Sequence, residues 1–305
     1  MNENKYTYPG LSFQRLQHLL PLFSVLLLLT TACCKKEELV GGRILKFSFD
    51  STSQPHTDVI HEIEVFVFDD RERLIGRAST QIDGTVALDY PQIPTLHCVA
   101  WGNSKDSGLE FSPLQPGDFL KKGYLALKTL SPTRAGDTFC NTPPDLFRGA
   151  IQIDNNATTG DRQLIRMVML QTTASIHIKI DGLPETTGTE EGDYSVVVGE
   201  ASARIDFYGD YSSKAVHRLT GTFNTEKEYI IPPFHLFPSA ANKGIKIDIL
   251  HNGKLLKSII QTSGGQPILP VAGKELTLLI KFAPGGVEVR PPGWNPTDVE
   301  IVYPK

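Results

Sequence analysis

The run Ser175-Ile176-His177-Ile178-Lys179-Ile180-Asp181 alternates polar and apolar side chains without a break. So do Ile245-Lys246-Ile247-Asp248-Ile249 and the stretch carrying Leu276, Leu278, Ile280 and Phe282. A period of two puts every second side chain on one face of an extended strand, whereas a helix through the same residues would spread isoleucine around its whole circumference. These segments therefore predict an antiparallel sheet with one buried face, whose core is Ile176, Ile178, Ile180, Ile247, Ile249, Leu278 and Ile280. Asn252-Gly253, between the strand at 245–249 and the next at 255–260, supplies a tight hairpin turn.

The first half is less regular. Ile63, Val65 and Val67 share one face of a strand and Phe66 and Phe68 the other, which reads as a central strand covered on both sides at its end. The charged run Asp69-Asp70-Arg71-Glu72-Arg73 turns the chain back into Leu74-Ile75, and further strands are predicted at 84–88 and 96–101. With 26 Gly and 21 Pro in 305 residues, turns are frequent and helices scarce. The best helix candidate is Pro116 to Lys122, and Glu185 to Asp193 reads as a loop. Leu164 to Thr173 reads as a connection, so the chain divides near residue 172 into an N-terminal β-sandwich, 44–172, and a C-terminal one, 173–305. The expected fold class is all-β, two tandem antiparallel β-sandwich domains.

The amino terminus sets the compartment. Lys5, Arg15 and His18 precede the apolar run Leu19 to Leu29, followed by Thr30-Thr31-Ala32-Cys33. This is the order of a secretory signal, and the run is shorter than the about 20 apolar residues a membrane span needs. The stretch resembles a bacterial lipobox, with Thr30 where Leu is usual. That implies a lipoprotein signal peptide at 1–32, lipid attachment at Cys33 and a lipidated tether over 33–43. An ordinary secretory signal with incidental cysteines is the alternative. Each buried methylene of an acyl chain contributes about 0.8 kcal/mol, so two or three chains hold a protein stably to a membrane. Lys35, Lys36, Glu37 and Glu38 form a charged run that looks like a surface-export signal of Bacteroidales-type lipoproteins; a solvated tether explains it equally.

Composition and motifs exclude much. Thirty Lys+Arg against 34 Asp+Glu leave a net charge of -4, without the basic excess on which nucleic-acid binding draws. No phosphate-binding glycine loop, nucleophile elbow or zinc helix is present, and nothing in the spacing of the acids pairs two carboxylates for catalysis. Asp154 to Asp161 superficially resembles a calcium loop, but its Gly is one place late and the bidentate Glu is missing. We therefore expect no catalytic residues, metal or cofactor. Cys98 and Cys140 either pair in an oxidising compartment or remain buried thiols; Cys98 shares a strand face with Leu96 and Ala100, which suits a small apolar residue.

Several of these segments together carry a resemblance. Ile63 to Asp69 with its charged turn, His97-Cys98-Val99-Ala100-Trp101-Gly102-Asn103, Asp145-Leu146-Phe147-Arg148-Gly149, Leu170 to Leu183 and Val287 to Trp294 are similar, in that order, to the fimbrial anchor subunits of Bacteroidales type V pili. The resemblance implies two transthyretin-like sandwiches in an outer-membrane, surface-exposed lipoprotein. Its partners would be fimbrillin-type pilus subunits, which it would hold to the membrane while terminating assembly. Such pili join by strand addition. The alternating segments Ile44 to Phe49 and Val299 to Tyr303 are the candidate strands, without distinction of donor from acceptor; permanent edge strands of their own domains are the other reading of both. Gly41-Gly42-Arg43 resembles the Arg-ending cleavage site of polymerising fimbrillins, where cleavage would remove the lipid; a flexible tether with one Arg is the other reading. A surface lipoprotein that binds glycan or host protein through its loops, as an adhesin or tip-type subunit, is the second function that fits.

Overall fold

The computed structural model of the chain describes residues 43–49, 60–80, 84–130, 138–156, 163–283 and 286–290. Before residue 172 the described strands are β1 (Arg43–Phe49), β2 (Ile63–Phe68), β3 (Leu74–Thr80), β4 (Thr85–Leu88), β5 (Thr95–Gly102), β6 (Leu109–Phe111), β7 (Tyr124–Leu127), β8 (Phe147–Asp154) and β9 (Gln163–Gln171). After it come β10 (Ala174–Asp181), a short helix α1 (Leu183–Thr187), β11 (Tyr194–Ala201), β12 (Arg204–Asp206), β13 (Tyr211–Ser212), β14 (Ala215–Leu219) and β15 (Thr222–Phe223). The chain then continues through β16 (Tyr229–Leu236), β17 (Lys246–His251), β18 (Lys254–Ile259), β19 (Glu275–Ala283) and β20 (Gly286–Arg290).

The strands form two sandwiches. In the first, a sheet of order β3-β2-β5-β8-β9-β1-β4 turns back on itself at β9. There only Leu170 and Gln171 pair with β8, while Gln163 to Met169 pair with β1. Leu45, Phe47, Val86, Met167 and Met169 from one part of the sheet thereby meet Ile63, Val65, Val67, Leu96 and Cys98 from the other. Gly149 of β8 sits under the methionines, and a Cβ there would lie 2.8 Å from both sulfur atoms. In the second sandwich, the sheet β15-β16-β10-β19-β20 covers the sheet β14-β11-β17-β18. The seven core residues expected from alternation are all at most 1% exposed.

A fourth sheet, β13-β12-β7-β6, takes two strands from each half, with Ile205 opposite Leu125 across the seam. It packs on the outer side of β2 and β5, so Phe66 and Phe68 are buried on the face opposite Ile63, Val65 and Val67. This shared sheet joins both sandwiches within one compact unit, 41–305.

Pairing among the described strands is antiparallel except at β1–β9 and β10–β19, which are parallel. Alternation reports which face a residue occupies and is silent on the direction of its neighbour, so the antiparallel expectation missed these two pairs. Leu164 to Thr173 proves to be mostly strand β9. Its outward residues Leu164, Val168 and Leu170 are 60%, 44% and 55% exposed, and apolar side chains on both faces hid the period. The loop expected from Glu185 begins as α1, with Pro184 in its first turn. Thr186 and Thr187 hydroxyls donate to the carbonyls of Gly182 and Leu183, and Tyr194 Oη donates to Thr189 O at 2.7 Å. The helix expected over Pro116 to Lys122 shrinks to a single 3-10 turn, Leu120–Lys122.

Candidate functional site

Arg43, expected as the last residue of a tether, is instead the first residue of β1, a strand locked on both sides because it pairs with a neighbour at each edge. β1 lies between β4, with Arg43 opposite Leu88, and β9, with Arg43 opposite Gln163. Arg43 is 5% exposed, and its Nε donates to Asn155 Oδ1 at 3.3 Å. Asn155 in turn donates from Nδ2 to the carbonyls of Tyr90 and Ile93, which closes the end of the first sandwich around the arginine. The Arg43–Ile44 peptide is therefore part of a sheet interior. Protein treated with an Arg-specific protease is expected to keep this bond while Arg71 in its exposed turn is cut; mass spectrometry of the fragments checks it, and a dominant cut after Arg43 would count against the arrangement.

The link between the halves is equally pinned. Thr172 and Thr173 are 7% and 0% exposed. Thr172 N–H and hydroxyl both donate to Leu146 O, its own carbonyl accepts from Tyr211 Oη at 2.7 Å, and Thr173 Oγ1 donates to Asp145 Oδ1 at 3.3 Å. Gln171 Nε2 donates to the same carboxylate oxygen. Asn103, in a left-handed backbone conformation at φ 61°, accepts from His61 N–H and donates to Asp145 O. Arg148 Nη2 donates to Phe207 O across the seam, and burial lowers the pKa of its guanidinium.

At the centre lies an aromatic cluster. The Phe207 ring is 4.9 Å from Phe66, 5.8 Å from Trp101 and 6.1 Å from Phe68. Phe207 N–H donates to Gly123 O, and a Cβ at position 123 would come within 2.5 Å of the ring, so glycine is required there. Motifs singled out in the sequence, 97–103 and 145–149, converge on this junction. Phe207, Tyr211 and Gly123 were missed; they sit in short segments with no periodicity, and only their aromatic and glycine identities hinted at them.

Cys33, Lys35, Lys36, Glu37 and Glu38 lie outside the described residues, as do Trp294 and Val299 to Tyr303. Cys98 and Cys140 are free buried thiols belonging to different core clusters, so the pairing alternative does not hold. Burial pushes the Cys98 thiol up to about 12. Trp101 is fully buried. His177 is half-buried on the polar face of β10. Among the described residues, no three His, Cys, Asp or Glu side chains come together as a metal site, and no helix is long and apolar enough to cross a membrane.

A groove of about 380 Å³ runs over the outer face of β10, β19 and β20. Its cations are matched internally: Lys179 with Glu228 at 2.7 Å, Lys281 with Asp181 at 3.7 Å, and Arg290 with Glu288.

His217 is a buried titratable group near the seam. It is 0% exposed on β14, and its Nδ1 lies 3.2 Å from Cys140 O. Its Nε2 has no hydrogen-bond partner among the described residues, and burial drives its pKa down to about 4. Between the ordinary value near 6.5 and about 4, the unfolded chain takes up a proton that the folded chain refuses. Acidification through that window is therefore expected to remove about 3 kcal/mol of stability. Urea midpoints measured from pH 7 to pH 4 should fall more steeply in the native chain than in His217→Leu; parallel profiles would refute the assignment.

Two sandwiches fused through a shared sheet, with β1 held inside the first, define an all-β protein of two joined layers of sheets. The chain belongs to the family of fimbrillin-A associated anchor proteins Mfa1 and Mfa2, whose family model matches residues 34–300. It is 24% identical to the major fimbrium anchoring subunit FimB of Porphyromonas gingivalis over 246 residues, covering 76% of this chain and 78% of that one. Its fold is shared with the fimbrial anchor protein Mfa2 of Porphyromonas gingivalis, at a TM-score of 0.60 and 12% identity over 87% of this chain and 99% of that one. A candidate adhesin from Bacteroides ovatus matches with a TM-score of 0.62 and 12% identity over 84% and 94%.

Proposed function

We propose that this protein is the lipid-held base of a pilus: Cys33 carries the acyl chains in the outer membrane, residues 33–42 form the tether, and the two domains, 43–172 and 173–305, hold a fimbrillin-type subunit and end its polymerisation. The charged run Lys35 to Glu38 directs the protein to the cell surface. The observation that supports this reading most is the position of β1. As an interior strand with Arg43 buried, it joins the tether to the first sandwich and is unavailable for donation to another subunit. The pilus contact then falls to a free sheet edge or to the segment beyond Arg290, by strand addition in which main-chain hydrogen bonds supply the affinity. Deleting the gene is expected to leave fimbrial subunits made and polymerised but shed, with fibres of altered length. Electron microscopy of the mutant and immunoblots of its medium test this; fibres of normal length still attached to cells would overturn it.

A second reading, a binder of glycan or host protein, draws on one surface. Phe119 and Tyr208 are 37% and 48% exposed around the β2–β3 turn, where Arg73 lies over the Phe119 ring and Tyr208 Oη donates to Glu72 at 2.7 Å. Loss of cell or glycan adhesion in a Phe119→Ala, Tyr208→Ala double variant whose fibres remain attached would favour it.

A further inference from the structure

Each sandwich contains one parallel strand pair, and both pairs have the same relation to the path of the chain. β1 enters from the tether at Arg43 and runs beside β9 in seven registered steps, from Arg43 opposite Gln163 to Phe49 opposite Met169. β9 leaves at the opposite end, through the buried Thr172 and Thr173, into β10. β10 then runs beside β19 in seven further steps, from Ser175 opposite Glu275 to Asp181 opposite Lys281. Because paired strands point the same way, the end at which one is entered and the end at which the next is left lie at opposite ends of the ladder.

We propose that β1–β9 and β10–β19 are two mechanical clamps in series, which place a load along the molecule in shear. The load considered is the one that the lipid-anchor reading supplies: membrane at the N-terminus, pilus beyond the second sandwich. In shear every hydrogen bond of a ladder is strained together and the strand leaves only when several break at once. A strand pulled sideways at one end loses them one after another. The junction passes the load stiffly, since both threonines are hydrogen-bonded and the shared sheet and the Arg148–Phe207 contact cross it in parallel. Antiparallel neighbours such as β4 lack this geometry, because β4 ends at Leu88, beside Arg43.

Single-molecule force spectroscopy on the chain lacking its first 32 residues tests the clamps without lipid or pilus. A terminal tag serves as one handle in a Cys33→Ser, Cys34→Ser background. The second handle is Ala283→Cys, exposed at the end of β19 remote from residue 172, or Asn156→Cys, exposed next to the Asn155 that binds Arg43. The first geometry loads the ladders in shear and the second peels β1 from its Arg43 end. We expect a several-fold higher first rupture force with the handle at Ala283 than at Asn156, in proteins of unchanged urea midpoint. Equal or lower force in the Ala283 geometry would overturn the proposal. Shed fibres in the deletion strain together with equal forces would sink the clamps and leave the anchor standing; the opposite pair of results would do the reverse.

Discussion

Phe207→Ala is expected to destabilise the protein by about 3–5 kcal/mol, the range for removing a buried aromatic side chain without collapse of the site. The ring is 1% exposed and surrounded by Phe66, Phe68, Phe111 and Trp101, which belong to strands of the first sandwich, its bridging β6 and the seam. These neighbours are held by three different strands, β2, β5 and β6, so they cannot close on the vacated space without breaking a ladder, and the cavity persists. The loss also falls on the seam itself, because Phe207 N–H and O hold Gly123 and Arg148 of the first half. Chemical unfolding followed by fluorescence reads the change directly, since Trp101 is one of only two tryptophans and touches the ring. Tyr208→Phe, at an exposed neighbour, should shift the midpoint little. A Phe207→Ala protein as stable as the parent would mean that the aromatic cluster does not hold the halves together.

Cys33→Ala is expected to move the protein quantitatively from the membrane to the soluble fraction while leaving its fold intact. Anchoring in the proposed reading rests wholly on acyl chains, each methylene contributing about 0.8 kcal/mol, and nothing among the described residues offers a membrane span in compensation. The substitution lies ten residues before β1, so the sandwiches should keep their urea midpoint. Cys34→Ala should change little, because Ala32 stands immediately before Cys33, where the lipobox requires a small residue. Detergent partitioning of both variants decides the matter. Membrane association that survives Cys33→Ala, or is lost with Cys34→Ala, would remove the assignment, and fibres released from Cys33→Ala cells would tie the lipid to the pilus.

Much of the fold was legible because burial follows alternation wherever one face of a strand meets solvent. Ile176, Ile178 and Ile180 could be placed in a core from their spacing alone, as could the double-sided burial of β2 from Phe66 and Phe68 opposite Val65 and Val67. The reading failed where that contrast vanishes. β9 carries Leu164, Val168 and Leu170 outside and Met167 and Met169 inside, so no face is distinguished and the strand read as a connection. α1 is one turn long and rests on threonine hydroxyls and Tyr194, a tertiary partner that no local pattern announces.

The sequence by itself determined that this chain is a β-protein, where most of its strands lie and which faces they bury, and it gives the N-terminus a resemblance to a lipoprotein signal. These are properties of neighbouring residues, set by the pleat of a strand and the order of charged, apolar and small side chains. Only the tertiary structure decided the rest: that β1 is an interior strand with Arg43 enclosed, that β1–β9 and β10–β19 run parallel, and that β6 and β7 join β12 and β13 in one sheet across residue 172. These pairings join residues about 80 to 120 positions apart, and a backbone hydrogen bond is the same for every side chain, so the choice of partner and direction is made by packing of the whole chain.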